Sequence, residues 1–197
     1  MCSIIGYKGR FKEYIVSTLL DESRLRGIHS FGYHTKNGTK KFLDYTEFKD
    51  SLLSEKPDLF IAHFRYSTSG DFKLLENNQP LVSDGKAMVF NGVISQKTKS
   101  EMEYEFQTKL PSDNDGWILY DYFNSRNFEL PQGSSFAFIG LDFKSDIKLT
   151  AIRNELRPMW KFESENYVIL TSTKDILVRS GIKQCISPLK KNKVYGW

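Results

Sequence analysis

The sequence predicts an α+β domain, a strand-rich sandwich with helices on its outside. Three observations carry that expectation. Short runs of alternating or wholly apolar residues recur along the chain, segments of the first half carry helical periodicity, and the second half reads mainly as consecutive strands. A chain of 197 residues that is 40% hydrophobic and 14% aromatic can bury a full core as one large domain. One domain over residues 1–197 is expected, because no repeat, low-complexity tract or linker divides the chain.

Residues 3–7 read as a strand, 8–10 as a turn, and 11–24 as an amphipathic helix with Tyr14, Ile15, Leu19 and Leu20 inward. Residues 30–34 and 41–45 form two short strands around Lys36, Asn37 and Gly38, an Asn-Gly hairpin turn. Thr46 opens a helix that Pro57 ends. Residues 59–66, LFIAHFRY, are a mostly apolar run suited to a strand buried on both faces, and they deliver Arg65 to its far end. The polar, glycine-bearing residues 67–79 predict a mobile loop with the composition of a lid. A strand over 86–90 follows, closed by Asn91 and Gly92. Past residue 95 the chain turns helical and polar until Pro111. SDND then precedes a helix carrying Trp117, Ile118, Tyr120, Tyr122 and Phe123, with Ser112 or Asp113 as its cap. From Ser134 onward SSFAFIGLDF, DIKLTAIRN, MWKFES and NYVILTST suit consecutive antiparallel strands, and residues 175–180 a final short helix.

Charge and composition remove several function classes. The 28 Lys and Arg exceed the 24 Asp and Glu by a formal +4, and apart from Lys190, Lys191 and Lys193 the basic residues are scattered, which argues against a nucleic-acid partner. No apolar run approaches membrane-spanning length and the N-terminus lacks the pattern of a signal peptide, so a cytoplasmic protein without membrane contact is expected. Two cysteines and three scattered histidines make no zinc pattern, and neither a metal nor a cofactor is expected. A structural disulfide is not expected either, and Cys185 reads as a small apolar core residue.

The first ten residues, MCSIIGYKGR, carry the chemistry. Cysteine is small enough for methionine aminopeptidase to remove Met1, which would leave a free amine and a thiol on Cys2. A thiol with a pKa near 8.5 and an α-amine near 8 can exchange a proton directly or through one water, so one residue supplies base and nucleophile. Taken alone, the same stretch suits a cysteine that only begins a buried strand.

The ordered set MCSIIGY, RGIHSFG, HFRYSTSG, NQPL, FNGVIS, SDND, GSSFAF and IRNELRP resembles the glutaminase domain of class II glutamine amidotransferases, members of the N-terminal-nucleophile hydrolase superfamily. HFRYSTSG is similar to the H-T-R-W-A-T-H-G of the glucosamine-6-phosphate synthase branch, whereas MCSI and NQPL look closer to asparagine synthetase. The resemblance spans nearly the whole chain. It implies a four-layer αββα sandwich of two antiparallel sheets flanked by helices. It also implies L-glutamine as substrate, hydrolysed to glutamate and ammonia through a thioester on Cys2. Most members of the family pass the ammonia to a synthase domain of the same polypeptide; residues 1–197 show no phosphate-binding glycine loop, P-loop lysine or second core, so a separate ammonia-accepting synthase subunit is expected.

The same resemblance assigns roles residue by residue. Asn91 and Gly92 match the oxyanion hole, through a side-chain amide and a backbone N–H, although an Asn-Gly pair also suits a plain turn. Arg65 matches the clamp on the glutamine α-carboxylate, against the alternative of a surface ion pair. Thr68 matches a threonine at the same end of the substrate, and Ser69 stands where that branch has histidine. Asp113 matches the partner of the α-ammonium and suits a helix N-cap equally well. Arg26 and Gly27 match a supporting Arg-Gly pair. Val93 stands where asparagine synthetases have glutamate, and IRNELRP is two residues shorter than the family hairpin, with Asn154 in place of aspartate. Two other readings stay open: another N-terminal-nucleophile amidohydrolase acting on a γ-glutamyl compound, and a non-catalytic glutamine-binding or scaffold module, which Ser69 and the short hairpin favour.

Overall fold

Alternation of side chains along the strands decides the layering. The computed structural model describes residues 1–67, 70–125, 133–154 and 156–197. In chain order they form β1 (Ser3–Gly9), α1 (Glu13–Arg24), β2 (Ser30–Thr35), β3 (Gly38–Phe42), α2 (Tyr45–Glu55), β4 (Leu59–Arg65), β5 (Leu81–Ser83), β6 (Lys86–Val93) and α3 (Lys99–Phe106). There follow α4 (Gly116–Ser125), β7 (Ser135–Asp142), β8 (Leu149–Arg153), β9 (Trp160–Ser164), β10 (Tyr167–Thr171), α5 (Lys174–Arg179), β11 (Ile186–Pro188) and β12 (Tyr195–Gly196). Among the described residues the strands make a seven-stranded sheet, in the order β11-β9-β10-β1-β4-β2-β3, and a five-stranded sheet, β12-β8-β7-β6-β5, with antiparallel neighbours throughout.

Successive residues of one strand enter different cores, as a period of two requires. Ile5, Tyr7, Phe60, Ala62 and Phe64 pack outward from the larger sheet against Val16, Leu19 and Leu20 of α1, Phe48 and Leu52 of α2, and Ile176 and Leu177 of α5. Their neighbours Ile4, Leu59 and Ile61 face the second sheet and meet Ala87, Val89, Ala137, Ile139 and Leu141. Met88, Phe90, Phe136 and Phe138 pack outward from the smaller sheet against Met102 of α3 and Ile118, Leu119 and Tyr120 of α4. These three cores separate four layers, helix–sheet–sheet–helix, which is the expected α+β sandwich. No described helix is long and apolar enough to cross a membrane.

Several local expectations are corrected. On α1 the buried residues are Val16, Leu19, Leu20 and Ser23, while Tyr14 is 75% exposed; the i, i+3, i+4, i+7 stripe falls one position later than read from the sequence. β3 starts at Gly38, because the hairpin register pairs Thr35 with Gly38 directly across a two-residue loop. α2 is capped by Asp44, whose side chain accepts from Glu47 N–H at 2.9 Å, one turn position earlier than Thr46 implies. Asn91 and Gly92 do not close β6. They lie inside it, opposite Ala137 and Phe136, because β7 is long enough to pair with all eight residues. α4 starts at Gly116, whose N–H is taken by the Asn114 side chain at 2.9 Å, so neither Ser112 nor Asp113 caps it. The side chains of Tyr122 and Phe123 lie outside the described residues. Cys185 is exposed in the left-handed region, with φ 57°, and belongs to a turn rather than a core.

The inner face of β4 changes character along its length, from Leu59 and Ile61 to His63 and Arg65. His63 is buried, its Nε2 has no hydrogen-bond partner among the described residues, and burial together with the charges of Arg65 and Lys41 lowers its pKa to about 3. The folded protein therefore holds a neutral imidazole where the unfolded chain takes up a proton near pH 6.5. Stability is then unaffected above that value and falls by about 1.4 kcal/mol per pH unit between it and the folded value. Urea denaturation at a series of pH values between 6.5 and 4 should show this slope, and His63→Asn should flatten it; equal slopes in the two proteins would contradict the assignment.

Candidate active site

Strand parity brings the candidate residues to one end of the intersheet layer. Cys2 precedes β1 on the face of Ile4, Arg65 ends β4 on the face of Leu59 and Ile61, and Asn91 follows Ala87 and Val89 on β6. The β1–β4 register pairs Ser3 with Phe64, so Cys2 falls beside the end of β4. There Tyr66 N–H donates to Cys2 Sγ at 3.4 Å, and the thiol points at the Tyr66 carbonyl at 3.8 Å. Gly27 makes this approach possible: a Cβ on it would stand 2.2 Å from the Phe64 carbonyl oxygen, so no larger residue fits where the Arg26–Gly27 turn crosses the strand end.

Cys2, Arg65, Gly92 and Asp113 line one cavity of about 60 Å³, together with His63, Tyr66, Asn77, Gln79, Asn114 and Asp115. Cys2 is half-buried, and burial pushes its thiol up; the Tyr66 N–H, the N-terminal ammonium, Arg65 and Arg157 pull the other way. Burial outweighs these and favours the protonated thiol.

Arg65 is 9% exposed. Its Nη1 donates to the Asn77 carbonyl at 3.0 Å and to Asn78 Oδ1, and its Nη2 to the Gly70 carbonyl at 3.4 Å. Burial presses the guanidinium below its usual value, and the thiol of Cys2, Asp115 and Asp71 oppose that. Asn77 and Asn78 also hold other walls. Asn77 O accepts from Asn114 Nδ2 at 2.9 Å, Asn77 Oδ1 from Asp113 N–H at 3.2 Å, and Asn78 Nδ2 donates to Phe72 O at 2.7 Å. Gln79 Oε1 accepts from Phe90 N–H at 2.6 Å, which ties the same segment to β6.

Asn91 is 3% exposed, lies between the pocket residues Phe90 and Gly92, and its Nδ2 has no partner among the described residues. A buried donor without an acceptor is costly in a finished fold and is the arrangement expected of a group awaiting a ligand oxygen. Gly92 is forced by the backbone: a Cβ would meet the Ser135 carbonyl oxygen at 1.9 Å. Asn154 fixes that facing strand end, accepting from Phe136 N–H at 3.0 Å and donating to Ser134 O.

Asp113 sits exposed on the rim with its carboxylate outside the helix cap. Asp115 is the residue that braces the backbone: Oδ2 accepts from Ile94 N–H at 2.7 Å and Ser95 N–H at 3.1 Å, and burial raises its pKa against those bonds. The structure thus brings Cys2, Arg65, Gly92 and Asp113 to one pocket, and it places Asn91 in the strand between the lining residues Phe90 and Gly92. Thr68 and Ser69 lie outside the described residues. Sequence reading met His63, Tyr66, Asn78, Gln79 and Asp115 only inside motifs, without a site role, and left Asn77 in the loop over 67–79. A run of three carboxamides beside a buried-strand arginine is the one local signal that could have marked them.

No protein-family model matches the chain, and no curated protein does. Solved structures with this architecture include a glutamine phosphoribosylpyrophosphate amidotransferase from B. subtilis complexed with ADP and GMP, at TM-score 0.70 and 19% identity over 95% of this chain. Another is described as the allosteric regulatory enzyme of purine biosynthesis, at TM-score 0.69 and 18% identity over 96% of this chain. The chain covers 44% of each of those chains, less than half their length. At such identities the likeness speaks for the architecture alone: the chain shares the two-sheet α+β fold of these amidotransferase structures.

Proposed function

We propose that this chain is a glutaminase of the class II glutamine amidotransferase type, releasing ammonia from L-glutamine. The observation that carries the reading is the convergence of a thiol, a buried arginine and a rim carboxylate on one narrow pocket, with the unpartnered Asn91 amide in the strand between its lining residues Phe90 and Gly92. Arg65, held in place by Asn77 and Asn78, would take the α-carboxylate and Asp113 the α-ammonium, so that the side-chain amide reaches toward Cys2. Both charged ends of a free amino acid would be read, which favours glutamine over an amide whose α-groups are blocked.

In this reading Met1, which is 63% exposed, is removed and the Cys2 amine becomes the base that the raised thiol needs. The amine takes the thiol proton, sulfur attacks the amide carbon, and the Asn91 Nδ2 and Gly92 N–H receive the developing oxyanion. The protonated amine passes its proton to the departing nitrogen, and ammonia leaves as the C–N bond breaks. Water, deprotonated by the same amine, then cleaves the γ-glutamyl thioester to glutamate and restores the thiol. We assign the acceptor of the ammonia to a separate synthase subunit. The protein is placed in the cytoplasm on this reading.

Glutamate release from glutamine by the purified protein, with intact mass checking that Met1 is gone, tests the proposal; Cys2→Ala should release none, and an active Cys2→Ala protein would end it. Asn91→Ala should lower kcat by about a hundredfold to a thousandfold while leaving KM within a few-fold, since its donor acts on the transition state. Arg65→Lys keeps the charge but loses the fork, and should raise KM for glutamine by roughly tenfold or more; an unchanged KM would remove Arg65 from substrate recognition.

A further inference from the structure

His29 lies in the turn between α1 and β2 and grips the end of β4 at two points. Its backbone N–H donates to the Arg65 carbonyl at 3.0 Å, and its ring Nδ1 accepts from Ser67 N–H at 2.8 Å. Residues 65 and 67 flank Tyr66, whose own N–H and carbonyl hold the Cys2 sulfur. One residue thus fixes the backbone on both sides of the unit that fixes the thiol. The ring adds a third hold, with its centroid 5.0 Å from that of Tyr66 and 4.9 Å from that of Phe72, nearly parallel at 19° to the latter. Phe72 is itself tied through its carbonyl to Asn78, the residue that takes the Arg65 guanidinium.

We infer that His29 is a positioning residue for the Cys2 thiol, acting through Tyr66 and requiring the neutral imidazole with its proton on Nε2. A backbone amide can only donate, so the nitrogen facing Ser67 must be an acceptor. The other tautomer and the imidazolium both place a hydrogen there and would push Ser67 away. With that bond lost, the Tyr66 N–H is free to turn from the sulfur, and the thiolate loses a backbone donor. The other influences on the sulfur, the terminal ammonium, Arg65 and Arg157, stay in place. The clamp itself follows from the geometry; only its effect on turnover rests on the glutaminase reading.

Long-range nitrogen–proton correlation spectra of the wild-type imidazole at neutral pH should show an unprotonated Nδ1 and a protonated Nε2 at His29; a proton on Nδ1 would overturn the inference. Iodoacetamide alkylation of Cys2, followed across pH by peptide mass mapping with Cys185 as internal control, gives the second arm. His29→Phe keeps the stacking but has no acceptor and should raise the Cys2 midpoint by about one pH unit. His29→Asn, whose Oδ1 can accept from Ser67 N–H, should leave the midpoint within a few tenths of a unit. Glutamate release should fall at least tenfold in His29→Phe and be recovered to within about threefold in His29→Asn. An unshifted Cys2 midpoint in a folded His29→Phe protein would refute the clamp; should that variant not fold, the imidazole spectrum and the His29→Asn midpoint decide. Shifted midpoints in a protein that releases no glutamate from any variant would leave the clamp standing and fail the glutaminase reading alone.

Discussion

A guanidinium carried into the space between two sheets has to find acceptors there, and the way Arg65 finds them shapes the whole site. Its position on the inner face of β4 is set by strand parity, and burial makes each unsatisfied N–H expensive. The acceptors come from Asn77 O, Asn78 Oδ1 and Gly70 O, all on the segment between β4 and β5. That segment must therefore lie across the end of the sandwich instead of extending into solvent. Once there, its remaining amide groups recruit Asp113, Asn114 and Phe72, while Gln79 reaches the backbone of β6. A single buried charge so organises walls drawn from both sheets.

The chemistry sits where the apolar intersheet layer gives out. Along β4 the inner face runs Leu59, Ile61, His63, Arg65, and along β6 it runs Ala87, Val89, Asn91, while Ile4 is followed toward the N-terminus by Cys2. The apolar part fixes the spacing of the two sheets by close packing, which leaves the polar ends little freedom to drift. Two glycines permit the remaining close approaches: Gly27 against Phe64 and Gly92 against Ser135, each where a Cβ would overlap a carbonyl oxygen. Rigid elements hold the sulfur, the guanidinium and the Asn91 amide, whereas at Asp113 and Asn114 on the rim the backbone N–H groups are held by the side chains of Asn77 and Ser112.

Buried polar groups in this region divide into those that are satisfied and those that are not. The partly buried Asp115 carboxylate accepts from Ile94 and Ser95, and the partly buried Asn154 amide accepts from Phe136 N–H and donates to Ser134 O; these are structural braces. Asn91 Nδ2 and His63 Nε2 are donor and acceptor left over beside the pocket. Groups of the first kind keep the backbone in place, and a leftover donor is what an incoming carbonyl oxygen can use.

The sequence by itself determined the layered architecture, and it marked Cys2, Arg65, Gly92 and Asp113, which the structure gathers at one pocket. Alternation and apolar runs are properties of the strand backbone, so β1, β2, β4, β7 and β10 were legible, as were Cys2 and Arg65 at strand ends and Gly92 beside an asparagine. Tertiary structure decided what depends on partners distant in the chain. Asn91 and Gly92 became strand residues because β7, more than forty positions on, pairs with them, and a local Asn-Gly signal reads the same either way. Which residue caps α4, which face of α1 turns inward and why Cys185 is exposed follow from how loops land on neighbouring elements. The bonds that define the pocket, Arg65 to Asn78, Asp113 to Asn77 and Tyr66 to Cys2, join residues 13, 36 and 64 positions apart. Separations of that kind are closed only by the packed sandwich, because hydrogen bonding through side chains and loop backbone has no period for a sequence to display.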